Sequence, residues 1–552
     1  MTTPAYTVPT LPPPAVAPAD TVYLVASGDL RESANVAGWP TQVALERVLT
    51  DAFAAHGRRV VRANEVDPAT GHGFISSQRM GLDVFRDIPP DAPLVVAEAV
   101  WQYSHHVLAG LRTHRGPVLT AANFAGDWPG LVGLLGLNAG LTKMGREYST
   151  VWTADGTDDW FRDAIGQWVT TGRITHDDSH VHALPTPSGQ AATPERELGE
   201  ALAAQLLTEK AIIGVFDEGC MGMYNAIIDD ELLNAIGIYK ERLSQSALWA
   251  EMQLVSDAEA DAVQTWLEDA GMTFRLGTDE ATELTAGQLR WQHKMYVAAL
   301  RIADDFGLDA VGIQYQQGLK DLSPASDLAE GLLNNVLRPP VRSPDGERVL
   351  WEGQAFPHFN EADEGVAVDA LVTHRLWTAM GLDPATTLHD VRWGEEFDGR
   401  FVWVFEISGS VPASHLEGGY AGAEGWRQDP VFFPAGGSTL NGVSRAGEIV
   451  WSRVYIADGR LQVDLGRGSA VALPAEETER RKNATNPEWP IMHAVLHGVS
   501  RDQFMARHKA NHLNVAYAPD AGAADRALEA KAAFFAALGV TVHLCGDTSL
   551  VS

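Results

Sequence analysis

Several stretches of this chain bring together side chains of the kinds that catalysis uses. Residues 359–365 (FNEADEG) place Glu361, Asp363 and Glu364 within four positions. Such a run either caps the helix that the apolar stretch 366–371 predicts, or offers oxygen ligands to a hard divalent cation such as Mg2+ or Mn2+. Residues 389–393 (HDVRW) carry Asp390 beside Arg392, which reads as an ion pair or as one more oxygen ligand. His508 and His512 are four apart, the spacing that sets two imidazoles on one helix face, and neutral imidazole is a common metal ligand. The zinc-protease form of that spacing needs Glu directly after the first His. Lys509 stands there instead, which disfavours a metalloprotease. In the run 217–226 (DEGCMGMYNA), Gly219 and Gly222 flank Cys220 and Met221, which suggests a tight turn with close backbone approach. Gly130, Gly133, Gly136 and Gly140 have the look of a phosphate cradle, but they lie inside an apolar helical run, where small residues serve close packing. There is no Walker A sequence and no G-x-S-x-G elbow.

Elements must hold these residues, and the composition bounds what those elements are. A chain of 552 residues predicts about three domains. With 45% hydrophobic and 20% charged residues it reads as globular. The formal charge is 41 − 72 = −31, which repels phosphate backbones, so nucleic acid is not an expected partner. The only cysteines, Cys220 and Cys545, exclude a disulfide framework and a multi-cysteine zinc or iron–sulfur site. No run of eighteen apolar residues predicts a membrane span. Residues 1–20, rich in Pro, Ala and Thr, lack the features of a signal peptide and read as a disordered lead-in to a cytoplasmic protein.

Residues 22–27, 59–63, 94–99 and 117–121 read as strands. Helical spacing at 41–56 and 105–114 alternates with them, the pattern of a parallel sheet covered on both faces. Residues 183–196 (ALPTPSGQAATPER) form the best linker. A second alternating block follows, with strands at 211–216 and 308–314, helices at 257–270 and 286–306, and an ambiguous segment at 247–255. Beyond about residue 340 the chain turns β-rich at 401–408, 448–456 and 460–465, with Gly-rich turns such as 435–442, as in an antiparallel sheet or barrel. A helix at 523–538 and a strand at 540–544 close it. The expected fold is α/β with a lead-in at 1–20, two Rossmann-like α/β layers at 21–185 and 196–355, and a β-rich, barrel-like C-terminal domain at 356–552.

Taken together, these segments resemble L-fucose isomerase, of the L-fucose/L-arabinose isomerase family. The run 216–234 (FDEGCMGMYNAIIDDELLN), continuing into 237–247 (GIYKERLSQSA), looks like a signature of that family. Shorter matches are 329–334 (AEGLLN), 390–392 (DVR), 408–410 (SGS), 489–490 (WP) and 510–512 (ANH). The resemblance covers most of the chain in order and is weakest before residue 90 and around 415–450.

The resemblance implies a Mn2+-dependent aldose–ketose isomerase, with Mg2+ or Co2+ as alternative cations, and a hexamer whose active site draws on neighbouring subunits. Carried over, the metal ligands are Glu361, Asp390 and His512, with Glu364 or Asp363 serving in place of Glu361 under another gap placement. Glu361 and Asp390 would also be acid and base. Substrate contacts would fall on Gln314, Trp489, Asn511 and, across a subunit boundary, Trp101, with Arg31 a further candidate. The chain departs from the family after Gln314 and through 411–445, which leaves the sugar open. His105, His106, Arg31, Lys509 and His508 offer positive charge for an anionic sugar such as sulfoquinovose. A non-catalytic sugar-binding protein on the same scaffold is the competing class, and a zinc hydrolase is weakened by Lys509.

Overall fold

The computed structural model describes residues 13, 15–101, 103–128, 130–184, 193–407 and 411–550, together with the backbone but not the side chain of Cys220. Most of the lead-in proposed at 1–20 precedes residue 13. The centre of the linker (185–192) and the 408–410 match also lie outside the described residues.

The fold is mixed α/β, with parallel sheets leading into a closed six-stranded barrel. The first sheet is wholly parallel, in the order Arg59–Arg62, Thr21–Val25, Leu94–Glu98, Val118–Asn123, Ser149–Thr153. Its central strands are buried on both faces, as continuous apolar runs such as Leu94, Val95, Val96 and Ala97 require. Helices Glu32–Ala55 and Asp159–Thr171 cover one face through Leu45, Leu49, Phe161 and Ile165. Helices His105–Thr113 and Gly130–Lys143 cover the other through Val107, Leu111, Leu137 and Leu141. The first helix starts well before the expected 41–56 and runs through Pro40.

A second parallel sheet has the order Ala310–Ile313, Ala211–Phe216, Ile238–Leu243. The ambiguous segment is helix Gln245–Leu254. The barrel runs Gly447–Ala457, His512–Ala518, Thr386–Phe397, Arg400–Glu406, Ile491–Leu496, Arg460–Ala470 and closes back onto Gly447–Ala457, so the six strands leave no edge among themselves. Strand Thr541–Cys545 adds in parallel to Arg460–Ala470, and Val181–Ala183 adds to that. One hydrophobic core joins the second sheet to the barrel: Ile213, Val311 and Phe359 share a cluster with Val454, Ala516 and Phe535.

Both parallel sheets aim their C-terminal strand ends toward one place, as ligand sites in such sheets require. Strand Thr21–Val25 leads to Arg31 and Leu94–Glu98 to Trp101, while Ala211–Phe216 leads to Met221 and Ala310–Ile313 to Gln314 and Gln316. The barrel supplies the opposite wall.

Candidate functional site

Asp390 and His512 are held by the barrel itself. Their strands pair antiparallel with these two residues directly opposite, and His512 Nε2 lies 3.5 Å from Asp390 Oδ1. Glu361 comes from the loop before helix Glu364–Ala379, and its Oε2 lies 3.5 Å from the same nitrogen. Glu361 and the next residue, Ala362, both take left-handed backbone conformations, φ +56° and +50°. Two consecutive non-glycine residues in that region cost on the order of 1–3 kcal/mol each and mark a position the surroundings force. Met221 has φ +51° in the same way.

The three candidate carboxylates of 359–365 separate cleanly. Asp363 Oδ1 caps helix Glu364–Ala379, accepting from the N–H groups of Gly365 and Val366, while its Oδ2 accepts from His512 Nδ1 at 2.7 Å and Arg453 Nη1 at 2.6 Å. Glu364 turns the other way, to Lys240 Nζ at 3.0 Å and the N–H of Ile228 at 2.6 Å. Of the three, Glu361 is the one that faces His512 Nε2 beside Asp390. The capping role and the possible ligand role thus fall on different residues of one run.

His508 and His512 do not share a helix face, contrary to their spacing. Helix Arg501–Arg507 ends before His508, and His512 opens a strand. His508 Nε2 bonds the backbone carbonyl of His512 at 3.0 Å, and its ring stacks on Phe504.

The centre is buried: His512 is 0% exposed, Asp390 1% and Glu361 9%. Glu361 Oε2, Asp390 Oδ1 and His512 Nε2 are all buried without a hydrogen-bond partner. Among the described residues no three His, Cys, Asp or Glu side chains stand as a finished metal-ligand set. These three meet instead as ion pairs. Burial first, and then the neighbouring Glu361, raise the Asp390 carboxyl well above the usual carboxylate range, against the pull of His512. Burial would lower His512, but Asp363, Glu361 and Asp390 more than offset it and hold its imidazolium. Asp363 is held well below the ordinary range: burial opposes this, and Arg453 and His512 overcome it.

Above these atoms lies a pocket walled by Trp101, Met221, Phe432, Phe433 and Trp489, with Arg31 and Gln316 as its other polar groups. In this arrangement it encloses about 10 Å³, room for about one water, so a larger ligand enters only as a wall moves. Phe432 and Phe433 stand on turns, in neither strand nor helix. Trp489 Nε1 donates to Gln428 Oε1 at 2.6 Å, and the Arg392 guanidinium lies 5.5 Å from the Trp489 ring centre. Arg392 in turn pairs with Glu406 at 3.2 Å, next to a bulge in Asp390's own strand.

The other expected contacts divide. Trp101 lines the pocket of its own chain and donates to Met221 Sδ at 2.9 Å. Gln314 does not line the pocket: its Oε1 accepts from Gln245 at 2.7 Å, and Gln316 takes the pocket position. Asn511 lines an adjoining hollow that shares Trp101 and Met221, opposite Gly133 and Gly136. Of the five cations considered for an anionic sugar, Arg31 alone lines the pocket, and Asp29 engages it through two bonds of 2.9 and 2.6 Å. Met221 and Gln316 were within reach of sequence reading, since they sit at the ends of predicted strands. Phe432 and Phe433 were not, because a turn-rich stretch carries no period. No protein-family model matches the chain, and no curated protein is significantly similar to it.

Proposed function

We propose that this chain is a metal-dependent aldose–ketose isomerase of the L-fucose isomerase kind, acting on a sugar through an enediol. The observation that carries the reading is the meeting of three buried donor atoms, Glu361 Oε2, Asp390 Oδ1 and His512 Nε2, beneath an aromatic-walled pocket. Each carboxylate oxygen lies 3.5 Å from the nitrogen, an ion pair without a hydrogen bond. A buried polar atom without a partner costs about 1–3 kcal/mol, and a shared divalent cation accounts for all three at once. Two donors each about 2.1 Å from one ion can lie up to ~4.2 Å apart, so spacings of 3.5 Å are compatible with sharing. Two carboxylates and one imidazole suit Mn2+, with Mg2+ and Co2+ as alternatives.

When bound, such a cation would offset the charge that develops on the sugar oxygens as the C2 proton leaves. The rest falls to this chain's own residues. Glu361 and Asp390 take the proton from C2 and return one at C1, while the O2 hydroxyl proton passes to O1 so that C2 ends as the carbonyl. Asp363 fixes the His512 ring by holding Nδ1–H. Trp101, Trp489 and Phe432 offer flat apolar walls to sugar C–H faces and exclude water. Arg31, already engaged by Asp29, is a weak counter-charge, which favours a neutral sugar over an anionic one such as sulfoquinovose. The layout as two Rossmann-like layers and a barrel domain, a hexameric assembly and a cytoplasmic location belong to the same proposal. No described helix is long and apolar enough to cross a membrane.

The test is ketose formation from a panel of neutral and anionic aldoses, after stripping with EDTA and again after adding Mn2+. The proposal expects silence after stripping and restoration by Mn2+. Full activity in the stripped protein contradicts it.

A further inference from the structure

At the other edge of the first sheet, away from Trp101, a groove of about 730 Å³ opens beside the N-terminal ends of strands Val118–Asn123 and Ser149–Thr153. Its volume lies within the range of small-molecule sites. The chain as a whole carries −31, yet four Lys and Arg residues line this groove, Arg115, Arg146, Arg173 and Lys509, against two carboxylates, Glu147 and Asp458.

Two of the four cations are already matched: Arg115 by Asp91 at 2.7 Å and Arg173 by Glu147 at 2.6 Å. The other two are not paired with a carboxylate among the described residues. Arg146 donates to the backbone carbonyls of Leu111 and Gly116 at 3.3 and 2.6 Å. Lys509 donates to Tyr148 Oη and the carbonyl of Ala506, both at 3.1 Å. These neutral partners orient the two cations without cancelling their charge. His176 lines the same groove, stacked on Trp152, with its Nε2 buried and without a partner.

We propose that this groove binds the phosphate group of a small molecule, held by Arg146 and Lys509 with His176 beside them. The chemistry points to a phosphate because a compact dianion matches two uncancelled cations, and a guanidinium fork suits its oxygens. Asp458, a lining carboxylate with no ion pair among the described residues, offsets part of this charge, but two unmatched cations against one carboxylate still favour an anion here. The site is separate from the Glu361–Asp390–His512 centre and does not depend on what that centre does.

The test is calorimetric titration of the full chain with two probes, inorganic phosphate and glucose 6-phosphate, at matched ionic strength in chloride. The proposal expects one saturable site that Lys509→Gln and Arg146→Gln each weaken about tenfold, the scale of one lost charged hydrogen bond. Arg79→Gln, an exposed cation elsewhere, should leave the affinity unchanged. Tighter binding of glucose 6-phosphate names a phosphorylated metabolite as the ligand, and equal binding names the free ion. If Arg146→Gln fails to fold, Lys509→Gln with an unchanged circular dichroism spectrum decides alone. No saturable binding of either probe, or affinity unmoved by Lys509→Gln, overturns the site.

Discussion

Asp390 and His512 sit directly opposite each other on neighbouring strands of the barrel, their side chains 3.5 Å apart and both fully buried. Strand register alone fixes that meeting, so neither residue depends on a mobile loop for its place. The pairing sets function against stability, because Asp390 is a buried carboxylate lying close to Glu361. Asp390→Asn is expected to leave the metal-free protein folded and at least as stable, while lowering turnover by roughly 10²–10⁴-fold. Thermal unfolding and initial rates check the two halves separately, and an unchanged rate would rule out Asp390 as acid or base.

Asp363 holds the His512 ring from the far side, together with Arg453. Asp363→Asn keeps a helix-capping oxygen but weakens both charged bonds. Mn2+ affinity should fall about 10–100-fold. Asp363→Ala strips Arg453 of its partner as well and should cost about 3–5 kcal/mol of stability. Paramagnetic resonance titration with Mn2+ reads the first effect, and equal affinity in wild type and Asp363→Asn would remove the orienting role.

Arg392 and Glu406 are both 0% exposed and 3.2 Å apart. Burial first, against the pull of Arg392, pushes Glu406 up to about 7. Arg392→Met alone should destabilise by about 3–5 kcal/mol, because it leaves a buried carboxyl unpaired. Adding Glu406→Leu should recover much of that loss without restoring the position of Trp489, which Arg392 supports. A double variant as unstable as the single one would show that the pair is not coupled.

Acid should unfold this protein before alkali does. Burial holds His358, His389 and His508 down to about 3, and His293 and His493 to about 4. Unfolded, each would take up a proton near pH 6.5. Their contribution is therefore complete above pH 6.5 and is lost as the pH falls toward 4 and 3. Glu364 and Glu406, pushed up to about 7 chiefly by burial, act in the opposite sense: their contribution is complete below about pH 4.5 and fades as the pH rises through 7. Burial raises five more carboxylates in the same sense, Asp390 among them. Fourteen histidines are lowered against these seven, so Tm should drop between pH 6.5 and 4.5. A flat or rising Tm over that window would contradict the buried-neutral state of these rings.

The alternation of apolar strands and helices was enough to place four of the five strands of the first sheet and two of the three of the second, since buried parallel strands such as Leu94–Glu98 are unbroken apolar runs, but it missed Ser149–Thr153 and Ile238–Leu243. The β-rich character after residue 340 was legible too, though closure into a barrel was not, because pairing between distant strands leaves no local trace. Local spacing misled at His508 and His512. A four-residue interval fits a helix, but a turn intervenes there, and the strand pairing of His512 with Asp390 decides where its ring goes. Gln314 and Gln316 show the same limit: both end one strand, and only the packing against Gln245 says which is withdrawn from the pocket. The short acidic run 359–365 was ambiguous for a physical reason, since its carboxylates do three different jobs.

The central claim is that Glu361 and Asp390 move a sugar proton. The most direct measurement incubates the Mn2+-loaded protein in D2O with L-fucose, L-arabinose, D-arabinose, L-rhamnose, D-glucose and sulfoquinovose, and follows the C2 proton by NMR. The account predicts loss of that signal with at least one neutral aldose, abolished by Glu361→Gln or Asp390→Asn. No exchange with any of them, from protein shown to hold its metal, would contradict it.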